Sequence, residues 1–489
     1  MIIKDNQEEF LNYLIDASNF KGNSTKLYIP ENYDELKELI KYCNSNKISI
    51  NISGARTGLT GAAVPLGEII ISLEKYDRII KIDSNTKTTI VQPGVIVKTL
   101  QEELTKINLF YPPNPTETNS TIGGNVATNA SGAKTFKYGP TRNFIKSLKL
   151  ILANGEETYI ERGKYLEKNG FINWEQLEKP IPIKNIDMPN IKHAAGYYIK
   201  PGMDLIDLII GSEGTLAVVE EIELNVLELP EKVLGGIIFF DDLNNLFAFV
   251  ETVRNYSRQN FLLKMDNVLE ARLIEFFDEN SLNLLRNKYY SIPNKTVGAI
   301  WIEQEYKECF EDEILTNWYD LIKKHTKYYN ESWFTIDDKS HQKLSEFRHD
   351  LPLIVFELIS KNNSFKIGTD TAVPDIYLKE YYKFMKNTLN KSGLTYFIWG
   401  HIGNAHFHAN IITSNQQEYE IAQEVYNLII DQAINLKGTI SAEHGIGKLK
   451  KQYFQKMYDS NVINYMMEIK KLFDENLILN PKNLFDFSV

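Results

Sequence analysis

Along the first half of the chain, apolar residues come in short β-branched runs separated by polar or glycine-rich stretches. Residues 26–30, 48–52, 69–72, 79–82 and 88–92 read as strands on this pattern, and 217–227 as a further β-like run. A 3.6-residue period replaces the alternation at 32–43, where Leu36, Leu39 and Ile40 share a face, and again at 95–107. Strands and helices mix with no regular βαβ period, which indicates an α+β region. Pro230 marks a turn and a domain boundary near residue 230; longer helical patterns follow it, with strand candidates at 297–304 and 395–399. From residue 440 the tail reads as a loop and then a helix at 464–473, with Asn480-Pro481 beyond it. There is no internal repeat. Apolar runs such as 205–210 and 237–240 fall far short of the ~20 residues a spanning helix needs. No apolar signal segment follows Met1. The expectation is a cytoplasmic protein, with peripheral contact at the inner face of a membrane left open.

Composition adds bounds. The 489 residues include 64 acidic and 54 basic side chains, a formal charge of −10, with 43% hydrophobic and 24% charged residues. This is a soluble globular balance, and at roughly 150 residues per domain the length suggests about two or three domains. The acidic excess argues against nucleic acid as a partner. Only Cys43 and Cys309 are present, which excludes a disulfide scaffold, a CxxC zinc ribbon and a cysteine-ligated iron–sulfur cluster.

Glycine is concentrated in two stretches. After a strand, residues 52–65 offer Gly54, Gly58 and Gly61 with the hydroxyls of Ser53, Thr57 and Thr60. Successive backbone N–H groups of such a loop can form a nest for a pyrophosphate, although a plain turn reads equally well from this loop alone. A second stretch runs through Pro113 and then Ser120–Gly132, with small residues at nearly every position, so that a flat ring could lie against backbone. A third motif is Gly211-Ser-Glu-Gly-Thr215. Neither the G-x-G-x-x-G fingerprint with its acidic residue nor a Walker A loop is present, which disfavours nicotinamide Rossmann and P-loop enzymes.

Histidine is concentrated too. The run Gly400-His401-Ile-Gly-Asn-Ala-His406-Phe-His408-Ala-Asn410 holds three of the eight histidines, and Glu443-His444 follows. In an extended strand His406, His408 and Asn410 would share a face, while His401 must approach through the glycine turn. Two imidazoles and a carboxylate form a common ligand set for a divalent metal with open positions. The alternative is a set of packed structural histidines. His-Glu-x-x-His is missing, which argues against a zinc peptidase. Glu346-Phe-Arg348 supplies a guanidinium suited to a carboxylate, although a lone Arg is most often a surface residue.

In order and spacing these motifs resemble the FAD-linked D-2-hydroxy acid dehydrogenase family, the branch of the vanillyl-alcohol oxidase / p-cresol methylhydroxylase superfamily that holds D-lactate dehydrogenase, the glycolate oxidase catalytic subunit and D-2-hydroxyglutarate dehydrogenase. The resemblance spans residues from about 25 to 485. It implies an α+β fold: a two-subdomain FAD-binding domain of p-cresol methylhydroxylase type, plus an α+β substrate (cap) domain with an antiparallel sheet. The chain then divides into an N-terminal helical segment at 1–24, the FAD domain at 25–230, the substrate domain at 231–439, and a segment at 440–489 that returns to the FAD domain.

The resemblance also implies roles. Ser53, Gly54, Ala55, Arg56, Thr57, Gly58, Leu59 and Thr60 would cradle the FAD pyrophosphate. Pro113, Thr121, Gly123, Gly124, Asn125, Ala127, Thr128, Ser131, Gly132 and Ala133 would line the flavin and its ribityl chain. Glu213, Gly214 and Thr215 would face the adenine half, and Asn480 is counted with the cofactor residues. No His stands within 53–65 to tether flavin, so FAD is expected to be non-covalent. His401, His408 and Glu443 would hold a divalent metal, Zn or Mn, and His444 would be the base. Relatives have Gly-Asp-Gly-Asn where this chain has Gly403-Asn-Ala-His406, so His406 is an extra histidine whose part is open. Arg348, Lys366 and Asn410 are the candidates for substrate binding; Lys366 stands four residues before Asp370, where relatives place a Lys two before. Pro352, where the hydroxyglutarate branch tends to have Thr, leans the expectation toward a lactate-like or glycolate-like substrate.

The expected reaction is oxidation of a small D-2-hydroxy acid to the 2-oxo acid, with hydride passing to flavin while metal and base activate the hydroxyl. D-lactate leads, then glycolate or D-2-hydroxyglutarate. Electrons would leave to an external acceptor: a quinone, a cytochrome, an electron-transfer flavoprotein, a partner subunit or oxygen. A homodimer is left open. Competing expectations are a same-fold enzyme for another alcohol or an alkyl transfer, a flavin subunit of a larger complex, and a metal hydrolase without flavin.

Overall fold

The protein, seen as a computed structural model, is described for residues 1–362 and 364–487, with the side chains of all but 338–341. Three sheets organise it. The first has the strand order Ile2–Lys4, Leu27–Ile29, Ile69–Ser72, Ile50–Ser53, antiparallel at its outer pair and parallel within. Helix Tyr33–Ser45 packs on it through Leu36, Leu39, Ile40 and Cys43, against Ile50, Ile69 and Ile71. Asn32 caps that helix, its side chain accepting from the Glu35 N–H at 3.0 Å. The segment before residue 25, expected to be helical, opens instead as the edge strand Ile2–Lys4, with one short 3₁₀ helix at Gln7–Tyr13. The β-branched pair Ile2-Ile3 favours that pairing with Leu27–Ile29.

The second sheet is antiparallel, in the order Ile79–Asp83, Thr88–Val91, Val218–Asn225, Ile145–Ile151, Glu157–Glu161. Along Val218–Asn225 every second residue is buried, the signature of a strand with one wet face.

The third sheet begins at Lys232–Phe240. Its order is Trp333–Thr335, Lys232–Phe240, Gly298–Tyr306, Ala271–Asp278, Thr395–Gly400, His406–Thr413, Phe365–Gly368, with Thr371–Ala372 pairing alongside His406 and Phe407. Both faces are covered. Ile238, Phe240, Phe276, Ile300 and Ile302 join one core with helices Leu243–Leu263 and Glu311–His325. Ile237, Phe239, Leu273, Phe277 and Trp301 join another with Phe347 and Leu351 of helix Asp338–Asn362. Neither Lys232–Phe240 nor Ala271–Asp278 was anticipated as a strand. With both faces dry, they carry no alternation to read.

The C-terminal segment lies against the first sheet. Ile50 N–H donates to Ile478 O at 2.7 Å, and Asn480 N–H donates to Ile50 O at 2.8 Å. Lys470 Nζ, buried, donates to Thr215 O at 2.6 Å and Leu479 O at 2.9 Å. The tail helix is longer than its pattern predicts, Ser460–Phe473.

Candidate active site

Strands Thr395–Gly400 and His406–Thr413 pair with Trp399 opposite His408. The connection doubles back so tightly that a Cβ on Gly400 would stand 2.7 Å from His406 O and 3.1 Å from Phe407 Cα. Glycine, at φ 149, removes that clash. The turn carries His401 back beside its neighbours. Ring centroids lie 5.2 Å apart for His401 and His406, 4.4 Å for His406 and His408, and 5.7 Å for His401 and His408. The loop after Ile440 brings Glu443 to them: Glu443 Oε1 lies 2.9 Å from His401 Nε2, and Oε2 lies 3.8 Å from His408 Nε2. His401, His406, His408 and Glu443 each offer a ligand atom within 4.8 Å of the others, a donor set that fits a divalent cation.

Two further acids organise this cluster. Glu275, fully buried, lies 2.5 Å from His401 Nδ1 and accepts from Arg348 Nε at 3.2 Å. Burial opposes its charge, but His401 and Arg348 more than offset that and hold its carboxyl below the ordinary range. Burial likewise works against charge on His401, yet Glu275 and Glu443 outweigh it and raise the pKa above the usual histidine value. Asp370 sits under His444: its Oδ2 lies 3.2 Å from His444 Nδ1 and accepts the His444 backbone N–H at 3.0 Å. Lys450 Nζ and Ser441 Oγ donate to the same oxygen at 2.9 Å. Burial favours protonation of Asp370, but His444 and Lys450 prevail and its pKa falls well below the usual carboxylate range. The His444 side chain is 27% exposed, against 12% or less for the other three histidines, so it is the open member of the group. Lys192, buried, forms an ion pair with Glu443.

The substrate-side candidates divide. Arg348 is linked to His401 through Glu275, and its Nη1 is buried with no hydrogen-bond partner among the described residues. Pro352 in the same helix lacks the N–H that would have bonded the Arg348 carbonyl. Lys366 and Asn410 converge over Gly368: Asn410 Oδ1 stands 3.5 Å, and Lys366 Nζ 4.0 Å, from where a Cβ would sit on that glycine. Gly368 is paired directly with Asn410.

A separate open cleft lies between the first two sheets. Gly54, Ala55, Arg56, Thr57 and Gly58 line it, facing Thr121, Gly123, Gly124, Asn125, Ala127 and Thr128. Glu213, Gly214 and Asn480 complete the wall, with Ser120, Pro93 and Val219 among the residues not anticipated there. Asn125 Nδ2 and Ser120 Oγ are buried without partners among the described residues. Unsatisfied donors beside a backbone stripped of side chains suit a long, polar, ring-bearing cofactor. The Glu213 carboxylate is turned into the C-terminal loop, accepting the N–H groups of Ile446 at 2.6 Å and Gly447 at 2.8 Å.

Eight of the anticipated cofactor residues lie off this wall. Ser53 is buried at 3.4 Å from Arg56 Nη1, and Leu59 is exposed. Thr60 Oγ1 donates to His444 O at 3.3 Å. Ser131 Oγ donates to Glu443 Oε1 at 3.3 Å, so the second glycine-rich stretch touches the histidine cluster. Gly132 packs on Asn114 O with Pro113 buried nearby, Ala133 packs against the core beneath helix Asp338–Asn362, and Thr215 is bonded to Tyr197 Oη at 2.7 Å. Glu275, Asp370 and Lys192 were not given roles from sequence. Glu275 had a signal, a carboxylate inside the apolar run 273–277. Lys192 had none.

The family profile for an FAD binding domain matches residues 25–160, and the profile for the C-terminal domain of FAD linked oxidases matches residues 243–484. The glycolate oxidase subunit GlcD of Bacillus subtilis (strain 168) is 26% identical, covering 97% of this chain and 92% of its own. A D-lactate dehydrogenase of Anaerostipes hadrus is 27% identical over 92% and 86%, and a D-2-hydroxyglutarate dehydrogenase of Stutzerimonas stutzeri (strain A1501) 25% over 96% and 92%. Among solved structures, p-cresol methylhydroxylase superposes with a TM-score of 0.71 at 16% identity, covering 99% of this chain and 95% of that one. Alkyldihydroxyacetonephosphate synthase superposes with a TM-score of 0.68 at 17% identity, over 98% and 82%. These likenesses establish the p-cresol methylhydroxylase-type fold. The chain belongs with the FAD-linked oxidoreductases of the D-2-hydroxy acid dehydrogenase type.

Proposed function

We propose that this flavoenzyme oxidises a small D-2-hydroxy acid to its 2-oxo acid, with D-lactate first and glycolate or D-2-hydroxyglutarate next. The observation that carries the reading is the contact between hydroxyls of the two glycine-rich stretches and the acid/base cluster: Ser131 Oγ meets the Glu443 carboxylate, and Thr60 Oγ1 meets the His444 carbonyl. FAD, when bound along the cleft, supplies the acceptor for the hydride from C2. His401, His408 and Glu443 would hold a divalent metal, which would supply positive charge to acidify a hydroxyl.

The chain's own groups do the rest. Asp370 holds His444 by Nδ1, which leaves Nε2 to take the hydroxyl proton. Glu275 fixes His401 by Nδ1 and turns Nε2 toward Glu443. Arg348 Nη1, with no partner of its own, is the group available to a substrate carboxylate. Lys366 and Asn410, gathered over Gly368, complete the substrate side. Electrons then leave to an external acceptor, as the name of the Arabidopsis thaliana relative, D-lactate dehydrogenase [cytochrome], implies for that protein. Cys43 is buried and Cys309 exposed, so this chain offers no sulfur-ligated relay. Anaerobic bleaching of the flavin by a panel of D- and L-2-hydroxy acids tests the reading: bleaching by a D-acid is expected, and a flavin that no member reduces would overturn it.

A further inference from the structure

All three clustered histidines are built alike. His401 turns Nε2 to Glu443 at 2.9 Å and sets Nδ1 against Glu275 at 2.5 Å. His408 turns Nε2 to Glu443 at 3.8 Å and sets Nδ1 against Thr369 O at 3.2 Å. His406 follows the same plan with its nitrogens exchanged: Nδ1 faces Glu443 at 4.0 Å, and Nε2 lies 3.1 Å from Asp370 Oδ1. An acceptor behind one ring nitrogen, with the other nitrogen aimed at a common point, is the arrangement that orients imidazoles around a metal. His406 is fully buried; beyond the Asp370 approach at Nε2, its Nδ1 makes no hydrogen bond among the described residues. Asp370 is otherwise engaged mainly through Oδ2, which takes Ser441, Lys450 and the His444 backbone N–H, while Oδ1 faces His406 and the Glu443 N–H. With Nε2 backed by Asp370, a buried imidazole whose Nδ1 has no partner within hydrogen-bond reach is costly unless something binds that nitrogen.

We infer that His406 is a fourth metal ligand, so that the site presents three imidazoles and one carboxylate rather than two and one. This rests on the metal reading proposed above and deepens it. A nitrogen-rich set favours zinc and its late-transition neighbours over manganese or magnesium, which suit oxygen donors. It also leaves one fewer position for the hydroxy acid, which makes Arg348, Lys366 and Asn410 correspondingly more important in holding the substrate.

The test uses the FAD-loaded protein. Zn²⁺ and Mn²⁺ binding are measured by titration in the unaltered protein and in His406→Asn, and imidazoles are counted from the X-ray absorption spectrum of the zinc-loaded forms. Three imidazoles are expected, falling to two in the variant. Zinc affinity should fall by at least about 10-fold, the low end of what losing even an outer-sphere partner costs, with manganese affected less. Two imidazoles in the unaltered protein, or equal zinc affinity in the variant, would overturn the role of His406 and leave the metal in place. An unaltered protein that binds no stoichiometric metal would overturn the metal reading and this inference together. If His406→Asn does not fold, the imidazole count in the unaltered protein decides alone.

Discussion

One oxygen of Asp370 holds His444 twice, accepting from its backbone N–H at 3.0 Å and lying 3.2 Å from its Nδ1. Ring and main chain are thus fixed by one carboxylate. Asp370→Asn keeps the volume but changes which ring nitrogen is protonated. Turnover is expected to fall by roughly 10² to 10⁴, the range for general base catalysis, with His444→Ala at least as severe. The flavin absorption spectrum should be retained in both. Wild-type-like turnover in His444→Ala removes it as the base.

Glu275 lies between the His401 ring and the Arg348 guanidinium, with almost no exposure. Glu275→Gln strands both. A stability loss of about 3–5 kcal/mol is expected, the scale for removing one partner of a buried charged pair. Urea denaturation of the holoenzyme measures it, and an unchanged midpoint would show that the Glu275 charge is dispensable.

Metal removal separates the two cofactors. Treatment with a strong chelator is expected to abolish substrate oxidation while leaving the flavin bound, and a divalent cation should restore the rate. Full activity after exhaustive chelation would exclude a metal from the reaction.

Gly123 abuts the backbone at Pro93, where an added Cβ would stand 2.9 Å from the carbonyl oxygen and 2.5 Å from the proline Cβ. Gly123→Ala therefore forces the cleft wall to shift. Overpacking of this kind costs about 1–3 kcal/mol, so FAD affinity should fall by roughly 5- to 150-fold on titration into apoprotein. Equal affinity would place the flavin away from Gly123.

A pH dependence of stability is expected from Asp278, which caps helix Glu279–Leu285. Its Oδ1 accepts from Ser281 N–H at 2.9 Å and Ile398 N–H at 3.1 Å, while Oδ2 is buried without a partner. Burial pushes its pKa from 3.8 up to about 6. A raised acid pKa means that the folded state binds its proton more tightly. The contribution to stability is therefore lost as pH rises from about 4 to about 6, by up to about 3 kcal/mol. In Asp278→Asn that loss should vanish, so the variant gains on wild type across this window in denaturant unfolding. Parallel profiles for the two proteins would contradict it.

What could be read ahead of the structure follows from where chemistry leaves a local trace. Glycine loops around Gly54 and Gly123 are visible because close backbone approach excludes side chains. His401, His408 and Glu443 come within reach of one another as their spacing around a glycine turn suggests. The third sheet left little trace, since Lys232–Phe240 is buried on both faces, and a dry strand looks like any apolar run. Glu275 and Lys192 reach the cluster from strands and loops more than a hundred residues away in sequence, a proximity that only tertiary packing creates. Ser131 and Thr60, assigned to flavin by motif, bond to the Glu443 carboxylate and the His444 carbonyl, because the C-terminal loop folds over the cleft's end.

Asn480 bridges the cleft at its base. Its side chain accepts from Ile52 N–H at 2.8 Å and donates to Glu213 O at 2.8 Å. Two walls that are 161 residues apart in sequence, at Ile52 and Glu213, are thus joined by a residue that follows both of them by more than 250 positions. During ribosomal synthesis, both walls emerge long before their bridge does. Flavin capture in its final form must therefore wait until Asn480 has left the ribosome, and a product cut short before it would hold the two walls without this bridge.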